Sequence, residues 1–481
     1  MTAETTRRAR PPSIERVLAA SRAELGGREH EAVLALARAV VADERDRLAA
    51  EGSPRSVAAL GSELIERLDE LGAPRPTPVL NGTGVIVHTN LGRAPWPEAA
   101  IGAARAAAAG SSFLEMDRAS GRRGARFRLA EDHLIALTGG EDALVLNNNA
   151  AALALAVGLA GRGGGVVVSR GELVEIGGGV RIPDIVRRAG ARLIEVGTTN
   201  RTRAADFAEP LGDGRARVVL RVHPSNFRQD GFVESPEPSA LAELAHAHGA
   251  VVVDDLGSGA LLATEAFGLV HEPTPRERLA AGADLVTFSG DKLVGGPQAG
   301  LVVGRADLVA RLRKDPLARA TRPDKVTLAA IAATLGLYRA GLAVRDIPVW
   351  RMIAARPDDL RARAEALVAR LDDPTMDVHP IELTSTVGGG SLPGETLPSW
   401  GLGLGGRSAD ALLARLRRGT PAVVGRIAGA RVLIDLRTVD PVADLVLTRA
   451  IVAAMAGRGR GASATGGRGR RRGATPDDGP P

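Results

Sequence analysis

The chain predicts an α/β fold: a mostly parallel sheet with helices on both faces, preceded by a helical unit and followed by a smaller α+β unit. Two observations carry this. Between about residues 79 and 340, short β-branched runs alternate with helical patterns: DALVLN, GVVVSR, ARLIEVG, ARVVLRVH, AVVVDD, DLVTFS and AGLVVG. Nearly continuous apolar strands of that kind are buried on both faces, as strands of parallel sheets are. Residues 11 to about 72 instead show only three- and four-residue apolar spacing with charges between, which predicts helices.

The units follow from shifts in composition. Residues 1–78 form the helical unit and end in the Pro/Gly linker GAPRPTPVLNGTG. Residues 79–340 form the α/β unit. Residues 341–456 form the small α+β unit, with ARVLIDLRTV as its clearest strand. There, LRRGTPAVVGRI and GLGLGGRSAD are expected to be loops and helix starts. Residues 457–481 are an Arg/Gly-rich tail without hydrophobic periodicity, which predicts disorder.

Composition excludes several function classes. Hydrophobic residues make up 44% of the 481-residue chain and charged residues 25%, a globular balance with ample core. The absence of cysteine removes disulfides, thiolate metal sites and thiol chemistry. No metal-ligand spacing occurs among the eight histidines. The first residues, MTAETTRRARPPS, lack the apolar core of a secretory signal, and no run spans a bilayer, so a cytoplasmic protein is expected. Net charge is +6, of which the tail carries +4. Such a tail can bind RNA without specificity, or simply solubilise the chain.

The chemistry centres on FSGDKLVGGPQAG, residues 288–300, where Lys292 follows a strand and precedes a glycine-rich turn. A lysine fixed there can form a Schiff base with an aldehyde, as pyridoxal 5'-phosphate (PLP) enzymes require. Upstream, the strand VVV runs into Asp254 and Asp255. A carboxylate at a strand's C-terminal end faces the ligand crevice of an α/β sheet and can hold a proton on a pyridine nitrogen. Asp254 is favoured as the first residue past the strand, with Asp255 as the alternative. In EDALVLNNNAAALALAVGLA, a strand turns into a helix whose start carries Asn148 and Asn149, an anion site for a cofactor phosphate. Ser289 can add a hydroxyl to that phosphate. Asn226, with His223 and Ser225, lies just past another strand, where it can reach the cofactor ring.

Nine blocks in order resemble the bacterial L-seryl-tRNA(Sec) selenium transferase family, the selenocysteine synthases. They are NGTGVIVHTNLGRAP (81–95), LEMDRASGRRGAR (114–126), SRGELVEIGGGVRIPDI (169–185), IEVGTTNRT (194–202), RVHPSNF (221–227), VVVDDLGSG (251–259), FSGDKLVGGPQAG (288–300), DPLARATRPDKVTLAA (315–330) and GRIAGARVLIDLRTV (425–439). Met116, Arg118 and Gly82 depart from the family pattern.

The resemblance implies a PLP enzyme of fold type I with PLP on Lys292, and anion-binding roles for Arg93, Arg319 and Arg322. It implies conversion of seryl-tRNA(Sec) to selenocysteinyl-tRNA(Sec) with selenophosphate, through β-elimination of water to an aminoacrylyl-tRNA. It also implies a homo-oligomer, a ring of dimers, with the N-terminal helices contacting tRNA. A paralogous branch of PLP lyases acting on small amino or sugar acids shares the SGDK region. It tends to lack the N-terminal helical unit that this chain has.

Overall fold

A computed structural model describes residues 10–50, 52–72, 78–123, 128–371 and 373–456. The predicted tail, residues 457–481, lies outside the described residues. The chain divides into two compact units, Met1–Pro78 and Val79–Pro481.

The first unit holds three helices, Ile14–Ser21, His30–Ala49 and Val57–Leu71. Ser13, Glu29 and Ser56 cap their first turns by accepting backbone N–H bonds. Val17, Ala37, Val40, Leu60 and Leu64 are fully buried between them. Their three- and four-residue spacing is what places them on shared faces. Arg55 joins the second and third helices by pairing with Glu44 and with Glu63, each at 2.6 Å.

The second unit is built on a seven-stranded sheet. Its strands are β1 (Asp142–Leu146), β2 (Gly165–Ser169), β3 (Arg192–Val196), β4 (Ala216–Val222), β5 (Val251–Gly257), β6 (Leu285–Ser289) and β7 (Gly300–Gly304). The spatial order is β1-β7-β6-β5-β4-β2-β3. Pairings from β3 to β6 are parallel, and β7 runs antiparallel to both β6 and β1. These are the seven runs that the sequence marks as strands. Apolar clusters cover both faces, and valine and leucine recur along every strand.

A second sheet of four antiparallel strands follows: Val378–Thr386, Thr396–Leu404, Arg431–Asp435 and Arg426–Ala428. Helices Pro357–Leu371, Ala409–Arg418 and Asp444–Ala456 bury its apolar face. Here the structure corrects the sequence. Gly401–Leu404, expected as loop, is strand paired on both sides, and Ala422–Val424 pairs in parallel with Val79–Asn81. Glycine weakens a strand signal, yet here it is required. A Cβ on Gly401 would stand 2.1 Å from the Ile434 carbonyl oxygen.

Two connections position the site. Segment 85–95 leaves the small sheet, bonded by Ile86 N–H to Thr386 O and Val87 N–H to Val387 O, and carries Arg93 towards the large sheet. The turn after Thr386 brings Gly389 and Gly390 to the same place.

Candidate active site

A cavity of about 570 Å³ opens at the C-terminal ends of the parallel strands, where ligands of open α/β sheets bind. Its wall includes Lys292, Asp255, Ser289, Asn148, Asn149, Asn226 and Arg93. The structure thus brings together residues from five separate stretches of the sequence.

Lys292 is placed by its own turn. Gly290 N–H donates to Ala299 O, Gly296 N–H to Gly290 O, and Leu293 N–H to Ser258 O, at 2.9 to 3.0 Å. A Cβ on Gly290 would meet the Pro297 carbonyl at 2.7 Å, so this turn takes only glycine there. Behind it, the hydroxyl of Tyr338 lies 3.0 and 2.9 Å from the carbonyls of Leu293 and Val294, and accepts from Trp350 Nε1. Tyr338 is the chain's one tyrosine. Its rarity is a signal that sequence reasoning passed over. Burial pushes the Lys292 amine below the ordinary lysine range, while the Asp255 carboxylate works in the other direction. Gly390 is the close neighbour of that amine; a Cβ there would stand 2.8 Å from Nζ.

The two aspartates of β5 separate. Asp255 Oδ1 accepts from Asn149 Nδ2 at 2.8 Å and from Thr287 Oγ1 at 2.9 Å. Burial raises its pKa, and these two bonds oppose the rise. Asp254, the favoured residue, lies elsewhere. It faces a second cavity, with its Oδ2 3.6 Å from Arg278 Nε. The reason is register. β5 runs on to Gly257, so both aspartates lie inside the strand, and neighbours in a strand point to opposite faces. The carboxylate in the Lys292 cavity is therefore Asp255, the alternative.

Asn148 caps the helix Asn149–Val157 by accepting from Ala151 N at 2.9 Å, so its side chain is already engaged. The Asn149 side chain orients Asp255, and its Oδ1 is buried without a partner. Ser289 is buried at the end of β6. Asn226 lines the cavity but donates to Glu175 O at 2.6 Å.

Arg93 has left-handed backbone, φ 63°, which is uncommon outside glycine. Its N–H donates to His88 O, and its Nη1 donates to Asp291 Oδ2 at 2.7 Å. Arg319 and Arg322 are not brought to Lys292 within one chain. They line a separate cavity of about 350 Å³ with Arg123, Arg128 and Arg313, where Arg322 Nη1 donates to Glu115 at 2.9 Å. Sequence reasoning also passed over Thr287 and Asp291, which act on Asp255 and Arg93 only through contacts made in the fold.

Comparison with known proteins identifies the family and the fold. The family model of L-seryl-tRNA selenium transferase (SelA) matches residues 79–440. The L-seryl-tRNA(Sec) selenium transferase of Moorella thermoacetica is 43% identical over 455 residues, covering 93% of this chain and 96% of that one. That of Rhizobium meliloti is 44% identical over 428 residues, covering 85% and 91%. Among solved structures, a D-glucosaminate-6-phosphate ammonia-lyase superposes with a TM-score of 0.57 at 20% identity, over 81% of this chain and 98% of that one, a likeness of fold. The motifs, the strand order and these matches converge: the chain belongs to the L-seryl-tRNA selenium transferase family.

Proposed function

We propose that this chain converts seryl-tRNA(Sec) to selenocysteinyl-tRNA(Sec), with PLP carried on Lys292 and selenophosphate as the selenium donor. The observation that carries this is the pairing of Lys292 with Asp255 in one cavity, within a segment that matches the family from end to end. The residues fit the cofactor. The cavity is large enough for it and an aminoacyl group. A buried carboxylate stands ready for a pyridine nitrogen, and the first turn of the helix Asn149–Val157 offers backbone N–H groups to a phosphate. The orphaned Asn149 Oδ1 is a buried polar atom that calls for a partner.

When bound, PLP supplies an electrophilic carbon for the substrate amine and a cationic ring that takes up an electron pair. The chain does the rest. Asp255 holds the proton on the ring nitrogen. Lys292, whose burial favours the neutral amine, takes the α-proton. Arg93 binds the anionic donor through a planar fork that stays charged. Arg319 and Arg322 serve the same anion in the site of a second copy of the chain, which requires a homo-oligomer. The N-terminal helices grip the tRNA, and the enzyme works in the cytoplasm. Among the described residues, no helix is long and apolar enough to cross a membrane.

The test is incubation with seryl-tRNA(Sec), selenophosphate and PLP, followed by identification of the aminoacyl product. Selenocysteine is expected, and borohydride is expected to fix PLP on Lys292. Unchanged seryl-tRNA, or ammonia released from a small sugar acid instead, would overturn the assignment. Deleting residues 1–78 is expected to weaken tRNA binding in a mobility-shift assay and leave PLP binding intact.

A further inference from the structure

Loss of a β-hydroxyl needs an acid as well as a base, because hydroxide is a poor leaving group. The titratable side chains on the Lys292 cavity are Arg93, His223, Asp255 and Lys292. Arginine does not give up its proton. Asp255 is engaged by Asn149 and Thr287, and Lys292 is the base. Histidine is the side chain whose ordinary titration lies near neutrality.

His223 is held for such work. Its backbone N–H donates to Asp255 O at 2.9 Å, and its own carbonyl accepts from Ser225 N at 2.7 Å. Its Nε2 lies 3.4 Å from Oε2 of Glu272, a carboxylate that is only 2% exposed. The other oxygen of Glu272 is buried and has no partner. His223 also lines the second cavity, of about 460 Å³, which Glu172, Asp254, Arg221 and Arg278 face and whose rim includes the exposed Phe227 and Arg228. His223 therefore lines both the reaction cavity and a polar compartment that reaches solvent.

We infer that His223, oriented by Glu272, is the acid that protonates the departing β-hydroxyl. The inference rests on the proposed function. Lys292 Nζ takes the proton from Cα, and that C–H electron pair becomes the second Cα–Cβ bond. The Cβ–O bond breaks with its pair on oxygen. The oxygen takes the His223 proton and leaves as water. His223 regains a proton from solvent by way of the second cavity and Glu272. No oxidant or reductant enters.

The test compares two leaving groups. Wild type, His223→Gln and Glu272→Gln are given seryl-tRNA(Sec) or 3-chloroalanyl-tRNA(Sec) without selenophosphate, and pyruvate is measured after hydrolysis. Chloride leaves without a proton. His223→Gln is expected to slow loss of water about 10²–10⁴-fold and to keep chloride loss within about tenfold of wild type. Glu272→Gln is expected to show the same pattern, more weakly. PLP affinity, read by absorbance titration, and melting temperature are expected to stay at wild-type values in His223→Gln. Equal slowing with both leaving groups, or weakened PLP binding, would assign His223 to the cofactor or the fold and overturn the inference. No slowing with either would leave both proton transfers to Lys292 and overturn it as well. Failure of wild type to eliminate from either substrate would instead overturn the proposed function, and the inference with it.

Discussion

The two faces of β5 differ more than its neighbouring aspartates suggest. On one face, Asp255 meets Asn149, Thr287 and the Lys292 cavity. On the other, Asp254 stands opposite Arg221 in the adjoining strand, close to Arg278, in a compartment shared with the half-buried Glu172 and the buried Glu272. The first face presents one carboxylate to a ligand space. The second balances acids against arginines. A single step along a strand thus moves a carboxylate from the ligand cavity to a charge-balanced compartment, because side chains alternate with a period of two.

The largest expected effect lies on the first face. Lys292→Ala should abolish turnover and the borohydride-stable PLP adduct, while tRNA binding in a mobility shift persists. A stable adduct on another lysine would break the comparison at its base.

Next comes the pair itself. Asp255→Ala should lower the rate about 10²–10³-fold by removing a preorganised charge from the reacting centre. Asp254→Asn should change the rate less than about tenfold and lower stability by about 1–3 kcal/mol, measured by denaturant unfolding, through the weakened contact to Arg278. Equal kinetic losses would show that both faces serve catalysis.

Arg319→Ala and Arg322→Ala sharpen the comparison from outside, since neither faces Lys292 of its own chain. Each should weaken use of selenophosphate by about 1.5–3 kcal/mol and spare loss of water from seryl-tRNA. Separate assays of the two half-reactions decide it.

The smallest effect belongs to the second face. Burial pushes the Glu172 carboxyl from 4.5 up to about 7, against the pull of Arg221. A raised carboxyl stabilises the fold fully below pH 4.5, where it is protonated in both states. That contribution is lost as pH rises through about 7. Glu172→Gln should therefore flatten a fall in stability of up to about 3 kcal/mol between those limits, read from unfolding curves at several pH values. An unchanged slope would remove Glu172 as its source.

Some of this site was legible in the sequence because its information is local. Lys292 sits in a turn made by its own neighbours, Gly290 to Gly296, and the seven strands of the large sheet announced themselves as β-branched runs bounded by turns. The choice between Asp254 and Asp255 was not local. It depends on where β5 ends and on which face the helix Asn149–Val157 covers, and Gly257 hid the strand's last residues. The strand through Gly401 was lost for a similar reason, since Gly401 answers to Ile434 on a strand that is distant in the sequence.

The sequence by itself determined the α/β class, the lysine, the family and the set of residues from which a site could be drawn, because periodicity and contiguous motifs are properties of the chain. Only the tertiary structure decided which members of that set share a cavity. It turned Asp255 inward and Asp254 away, tied Arg93 to Asp291, kept Arg319 and Arg322 apart from Lys292, and set His223 between two compartments. Those facts depend on strand phase and on contacts between residues up to about two hundred positions apart, such as Arg93 and Asp291. Such contacts arise only when separate segments pack together, which no local pattern records.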